Sequence, residues 1–219
     1  MEGMFHEKLS LVSSEPMGVS TVFTINKKCY NMRTLAIETS CDDTSLAIIS
    51  YENGGIFTVE KLIAYSQIAE HTKYGGVLPE IASRLHSEKI IALLQEIGRD
   101  EICNVDFISC TTHPGLPGSL VVGSAVGTML AEHFEKPFVP INHIYGHIFS
   151  ILLERKLEDI ELPMVILTAS GGHNDIYLVE REEEKQGHPY HITKLGATLD
   201  DASGEAFDKV SKMLGGPYP

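Results

Sequence analysis

Apolar and polar residues fall in blocks along this chain, and the periodicity inside each block predicts an order of elements. From Met32, three runs alternate like strands: Thr34-Leu35-Ala36-Ile37-Glu38, Ser45-Leu46-Ala47-Ile48-Ile49 and Phe57 to Ser66, separated by turn residues such as Asn53-Gly54-Gly55. Three strands in succession predict hairpins. Pro79 suits the first position of a helix whose apolar residues Ile81, Leu85, Ile90, Ile91, Leu94 and Ile97 lead to Gly98. Val105 to Thr111 reads as a buried strand. The loop His113-Pro114-Gly115-Leu116-Pro117-Gly118 then leads to Ser119, the predicted N-cap of a small-residue helix to about His133. A short strand at Phe138 to Ile141 precedes a helix carrying His143 and His147.

The order then restarts, with strands at Leu162 to Ala169, Asp175 to Glu180 and Tyr190 to Leu195 and a helix from about Asp201 to Leu214. The repeat is one of element order without sequence identity, and it implies two similar α/β lobes facing a cleft, at residues 32–160 and 161–219. The second lobe is incomplete, stopping after one helix at Gly215-Gly216-Pro217-Tyr218-Pro219. Such a lobe leaves apolar faces uncovered, so either the chain is a fragment or a partner covers them. Residues 1–31 show no period and are predicted to be a weakly ordered extension.

With 43% hydrophobic residues in 219, the chain can bury a substantial core. No run of about 18 uninterrupted apolar residues occurs, and the start lacks a basic region followed by an apolar stretch, which predicts a protein outside the membrane, in the cytoplasm. Cys29, Cys41, Cys103 and Cys110 have no CxxC spacing and fit reduced thiols. Seventeen basic against thirty acidic residues give a formal charge of -13, which opposes phosphate-rich partners over most of the surface. Any RNA contact needs a local basic patch or a basic partner. Lys61, Lys73, Arg84 and Lys89 are candidates, although scattered bases usually mark a solvated surface.

Candidate chemistry centres on His143 and His147, four residues apart on a helix, where two imidazoles point the same way and can hold a metal ion. By spacing alone they are equally a capping and a surface histidine. Ser170-Gly171-Gly172-His173 is a double-glycine turn whose amides could approach an anion, or a tight hairpin turn. Asp42 and Asp43 follow the first strand and by themselves read as a turn-forming pair. The loop from His113 to Gly118 binds an anion at a helix start or only connects strand to helix. His86 reads as a packed helix histidine.

Five ordered blocks together resemble the tRNA threonylcarbamoyladenosine transferase family of the bacterial TsaD type, formerly called O-sialoglycoprotein endopeptidases. They are Ile37-Glu38-Thr39-Ser40-Cys41-Asp42-Asp43-Thr44, Tyr74 to Arg84, His143-x-x-x-His147, Ser170-Gly171-Gly172-His173 and Gly204-Glu205-Ala206-Phe207-Asp208-Lys209. The resemblance implies an α/β, actin-like fold of two ribonuclease-H-like lobes. It also implies transfer of threonylcarbamoyl from threonylcarbamoyl-AMP to the exocyclic amine of the adenosine beside the tRNA anticodon. His143 and His147 then match the ligands of one divalent metal, iron or zinc, and magnesium could accompany the nucleotide near Asp42 and Asp43. Thr168, Ala169, Ser170, Gly171, Gly172 and Asp208 match the acyl-adenylate site, although Asp208 could simply pair with Lys212 on its own helix. The implied partners are tRNA, a TsaB-like paralogue docking on the helices at Pro79 to Ile97 and Ser119 to His133, and a TsaE-like ATPase. The family's third metal ligand, an aspartate, and its later nucleotide-holding residues would lie beyond Pro219, so the isolated chain is expected to bind metal and donor weakly.

Four positions depart from the family pattern. His113 stands for a glycine and is expected to narrow the cleft, Asp43 stands for glutamate, and Asn174-Asp175 replaces Thr-Gln. Two further readings stand beside the transferase. One is a metallo-endopeptidase, for which Ile144, Tyr145 and Gly146 offer no base between the histidines. The other is a non-catalytic scaffold subunit of the same complex. An actin-like sugar kinase would have no use for the histidine pair.

Overall fold

A computed structural model describes residues 9–11, 23–25, 31–52, 55–156, 159–181 and 190–218. Most of the extension predicted to be weakly ordered lies outside the described residues; within it, β1 (Leu9–Leu11) pairs antiparallel with β2 (Phe23–Ile25). Then follow β3 (Met32–Glu38), β4 (Asp43–Glu52), β5 (Ile56–Ser66), α1 (Ile68–His71), α2 (Pro79–Ile97), α3 (Arg99–Cys103), β6 (Phe107–His113), α4 (Pro117–His133), β7 (Phe138–Asn142) and α5 (His143–Phe149). The last elements are β8 (Met164–Ala169), β9 (Asn174–Arg181), β10 (Tyr190–Gly196) and α6 (Ser203–Met213).

The first large sheet has the order β5-β4-β3-β6-β7. Strands β3, β4 and β5 form the expected antiparallel meander, and β6 and β7 add in parallel beside β3. Strand β4 alternates, burying Thr44, Leu46, Ile48 and Ser50 and turning the residues between them outward. The central strand β6 instead buries four residues in a row, Ile108 to Thr111, as expected of a parallel strand flanked on both sides. On α2 the buried residues Ala82, Leu85, His86, Ile90, Leu93, Leu94 and Ile97 recur at three- and four-residue steps, and Ile90, Leu93, Leu94 and Ile97 share a core with Leu35, Ile37, Leu46 and Ile48.

The second sheet, β10-β9-β8, repeats the antiparallel meander with the same strand path. Helix α5 follows β7 of the first sheet, yet its apolar residues Ile144 and Ile148, one turn apart, pack on Tyr177 and Val179 of the second. That helix therefore ties the two sheets together. The opposite face of the second sheet leaves Val165, Leu167 and Leu195 exposed.

Two local expectations change. Ser119 is not an N-cap: α4 starts two residues earlier, with Pro117 in the first turn after an extended Leu116, and Ser119 is fully buried inside the helix. Proline's fixed φ is preorganised for a helix start, and this outweighs the capping preference of serine. His113 does not need glycine's backbone freedom: it ends β6 with ordinary φ, is exposed, and places Nδ1 2.9 Å from Thr112 Oγ1. The close approach falls at Gly115, where a Cβ would stand 2.7 Å from the Ser40 carbonyl oxygen.

Candidate functional site

Parallel pairing of β3, β6 and β7 puts their carboxyl ends on one edge of the sheet, where ligands of open α/β sheets bind. Glu38 ends β3, Thr111 lies near the end of β6, and Asn142 ends β7. The Asn142 side chain caps α5, with Oδ1 accepting from the amides of Ile144 at 2.8 Å and Tyr145 at 3.4 Å. The cap fixes where α5 starts and hence where His143, its first residue, stands.

The two imidazoles converge. Their Nε2 atoms are 3.0 Å apart and the ring centroids 4.4 Å, so the pair predicted from spacing is a pair in space. Behind it, His143 Nδ1 lies 3.1 Å from Glu38 Oε2 and 3.1 Å from Ser40 Oγ, and Thr111 Oγ1 donates to the same Glu38 oxygen at 2.6 Å. A carboxylate can only accept, so His143 carries its proton on Nδ1 and leaves Nε2 bare, and His147 donates from its own Nε2. Burial alone would raise the Glu38 pKa; hydrogen bonds from the side chains of His143, Ser40 and Thr111 outweigh it and hold the group at about 2. Burial first, and then the neighbouring His143, lowers the His147 pKa, which keeps that ring neutral.

This is the arrangement that orients a metal-binding imidazole: a carboxylate on the far nitrogen fixes tautomer and ring plane and leaves the other nitrogen for an ion. Metal–nitrogen bonds of about 2.0–2.1 Å fit between nitrogens at nearly this separation once His147 shifts its proton to Nδ1. The residues present therefore fit a divalent ion. Among the described residues no cluster of three or more His, Cys, Asp or Glu side chains is arranged to hold one.

Ser170 to His173 closes the β8–β9 hairpin, with Ala169 opposite Asn174. The Ser170 amide donates to the His173 carbonyl at 3.1 Å, and the Ser170 hydroxyl caps the turn through the His173 amide and carbonyl. Nothing lies within 4 Å of the position a Cβ would take at Gly171 or Gly172, so their backbone is open to an approaching group. Helix α6 presses on the turn from one side. At Gly204 a Cβ would meet Gly171 Cα at 2.7 Å and the Ser170 carbonyl oxygen at 2.9 Å, and the Gly204 amide donates to that oxygen at 3.2 Å. Asp208 lies one turn further along the same face of α6. The alternative, an ion pair with Lys212, is not formed among the described residues: Lys212 Nζ reaches toward Gly75, and Asp208 lies near enough to Tyr218 to help raise that phenol's pKa after burial and Asp42.

The candidate residues thus form two groups and a remainder. The histidines make one group. Thr168, Ala169, Ser170, Gly171, Gly172 and Asp208 line the β8–β9 turn and α6, and His173 connects the groups by contributing to the lowered pKa of His147. Asp42 meets the second group at Tyr218, whose phenol feels its charge as well as that of Asp208, while its carbonyl accepts from the Gln67 amide at 3.0 Å; Asp43 opens β4 opposite Ser66. His86 is the packed histidine that was expected, fully buried between Thr44 Oγ1 at 2.7 Å and the Cys41 carbonyl at 3.0 Å. Sequence reasoning did not single out Glu38, Ser40 or Gly204. An acid at a strand end was the available signal for Glu38, but pairing it with His143 needed the parallel strand order.

The sequence model of the family described as TsaD, tRNA N6-adenosine threonylcarbamoyltransferase, matches residues 58–219. The curated tRNA N6-adenosine threonylcarbamoyltransferase of Kosmotoga olearia is 43% identical over 191 residues, covering 86% of this chain and 54% of the relative. That of Geotalea uraniireducens is 44% identical over 191 residues, covering 86% of this chain and 52% of the relative. The chain spans about half the length of the curated relatives it matches. Among solved structures, YeaZ from Pseudomonas aeruginosa aligns with a TM-score of 0.43 at 14% identity, over 76% of this chain and 66% of that one.

Proposed function

We propose, because the chain belongs to the TsaD family of tRNA N6-adenosine threonylcarbamoyltransferases, that it carries the metal-binding and donor-binding half of such an enzyme. The reaction is transfer of the threonylcarbamoyl group from threonylcarbamoyl-AMP to the exocyclic amine of the adenosine 3' to the anticodon. The two meanders then belong to two ribonuclease-H-like lobes of an actin-like fold, the second present in part. The observation that carries the reading is the convergence of the His143 and His147 Nε2 atoms, 3.0 Å apart, in front of Glu38.

The chemistry asks little of side chains as nucleophiles. The amine attacks the carbamoyl carbonyl, the bond from that carbon to the phosphate oxygen breaks, AMP leaves and the amine gives up a proton. Rate comes from holding donor and acceptor together and from stabilising charge at the carbonyl. An iron or zinc ion held by His143 and His147 would supply Lewis acidity toward donor oxygens. The turn at Gly171 and Gly172, with open space where side chains would stand, suits the donor's anionic part, and Asp208 suits its hydroxyls. Asp42 and Asp43 remain candidates for magnesium at the nucleotide.

For partners, α2 and α4 pack side by side and leave Ile91, Val121 and Met129 exposed, which supports docking of a TsaB-like paralogue there. tRNA and a TsaE-like ATPase complete the assembly, and the setting is the cytoplasm. Among the described residues no helix is long and apolar enough to cross a membrane. The endopeptidase reading gains no support: Ile144 is buried in the sheet seam, and Glu38 stands behind His143 on Nδ1, away from where a metal-bound water would be deprotonated.

The test is acyl transfer from threonylcarbamoyl-AMP to unmodified tRNA in the assembled complex. His147→Ala should lower the rate at least about 100-fold, and Glu38→Gln should weaken metal affinity about 10- to 100-fold. Transfer undiminished in His147→Ala sinks the reading.

A further inference from the structure

On the Tyr145 side of α5, a cavity of about 300 Å³ opens between the carboxyl ends of the first sheet and the second meander. Pro114, Asn142 and Tyr145 wall it from one side and His173, Asp175 and Lys194 from the other. It shares His173 with the turn at Ser170 and α5 with the histidine pair, so it adjoins the proposed donor site without being part of it.

Its walls carry a flat surface and a polar edge. Tyr145 is 42% exposed, an aromatic ring left in solvent beside the cavity. Asn142 has committed Oδ1 to capping α5, so only its amide Nδ2 can serve a ligand, as a donor. Asp175, 5% exposed, lines the cavity; its Oδ2 accepts from Lys194 Nζ at 2.8 Å and the Tyr177 hydroxyl at 2.9 Å, which leaves Oδ1 as the acceptor for a ligand. His173 Nε2 is buried with no hydrogen-bond partner, which is costly unless something supplies one. Lys194, half exposed, stands at the rim with a positive charge.

An exposed aromatic beside a donor and an acceptor is the chemistry that reads an unstacked nucleobase in an RNA loop. The overall charge of -13 strengthens the argument, since phosphate attraction cannot supply the affinity and base stacking must contribute more of it. Adenine fits the edge: its exocyclic amine donates toward Asp175 and a ring nitrogen accepts from Asn142. Guanine would set a carbonyl oxygen against the carboxylate.

We propose that this cavity is the acceptor subsite, receiving the splayed adenine of the anticodon loop on Tyr145 with its flanking phosphate at Lys194. The proposal rests on the function given above and adds where the acceptor binds.

Binding of an unmodified anticodon stem-loop, followed by fluorescence anisotropy, tests it with adenine, guanine or uracil at the acceptor position. Tyr145→Ala should weaken the adenine loop about 5- to 150-fold, with Tyr145→Phe close to wild type. Lys194→Gln should reduce the salt slope by about one. The guanine and uracil loops should bind wild type as poorly as the adenine loop binds Tyr145→Ala. Cobalt(II) absorption at the histidine pair confirms that α5 keeps its place in each variant. Equal affinity for the three loops, an unchanged Tyr145→Ala with α5 intact, or no binding by wild type overturns the subsite. Base-selective binding without acyl transfer by the assembled complex would instead leave the subsite standing and sink the function proposed above.

Discussion

The two meanders follow the same strand path and differ in what supports them. Strands β3, β4 and β5 lie under α2, with β6 and β7 extending the sheet, and their core runs through Leu35, Ile37, Leu46, Ile48 and the buried face of α2. Strands β8, β9 and β10 are covered on one face by the single short helix α5, and their core is Ile144, Ile148, Tyr177 and Val179 with partly buried neighbours. A repeated order of elements therefore repeats topology without repeating stability. The histidines stand at the joint: hydrogen bonds from the first sheet orient His143, and the second sheet holds the helix that carries both rings.

Equivalent truncations on the two sides give the largest test of this difference. Ile48→Ala removes a fully buried side chain from the first core and should cost about 2–5 kcal/mol in denaturant unfolding. Ile148→Ala removes the same atoms from the seam and should fall at the low end of that range, because a small core relaxes more readily around the loss. It should also loosen α5 and weaken metal binding, which Ile48→Ala leaves alone unless the protein unfolds. A cost for Ile148→Ala equal to that of Ile48→Ala, with metal binding unchanged, would break the comparison.

A pair of glycines gives a smaller effect that differs in sign between two helices. Gly204→Ala places a Cβ 2.7 Å from Gly171 Cα, a backbone atom that cannot turn aside, so the change should destabilise by about 1–3 kcal/mol despite alanine's better helix propensity. Gly146→Ala in α5 meets nothing within 4 Å and should stabilise by up to about 1 kcal/mol. Thermal melting of both variants decides it, and a stabilising Gly204→Ala would mean that α6 does not press on the turn.

Local signals made much of this legible in advance. The 3–4 spacing of α2, the alternation of β4 and the restart of element order at the second meander gave the framework, and the four-residue histidine spacing gave a true pair. Glu38 escaped notice as the partner of His143 because 105 residues separate them and only the parallel order β3-β6-β7 joins their ends. Ser119 misled because a capping residue and a proline competed for one helix start, and the fixed ring prevailed. His113 misled because the glycine-dependent approach falls two residues later, at Gly115.

The smallest effect concerns acid. Both sheets carry a carboxylate with a lowered pKa, Glu38 at the end of β3 and Asp175 on β9, and Asp175, 5% exposed, is the one on the face toward α5. Burial would raise the Asp175 pKa, but hydrogen bonds from Lys194 and Tyr177 outweigh it, and with the charges of Lys194 and His173 they leave the group below its ordinary 3.8. The sign follows from proton counting. Near and just below 3.8 the unfolded chain binds this proton and the folded one does not, so the contribution is complete above 3.8 and is lost as pH falls toward the lower folded value. Wild type should therefore lose stability on acidification below about pH 4 more steeply than Asp175→Asn, read by denaturant unfolding at each pH. If Asp175→Asn follows the wild-type acid curve, the buried network of Asp175, Lys194 and Tyr177 contributes nothing to holding the second sheet against α5.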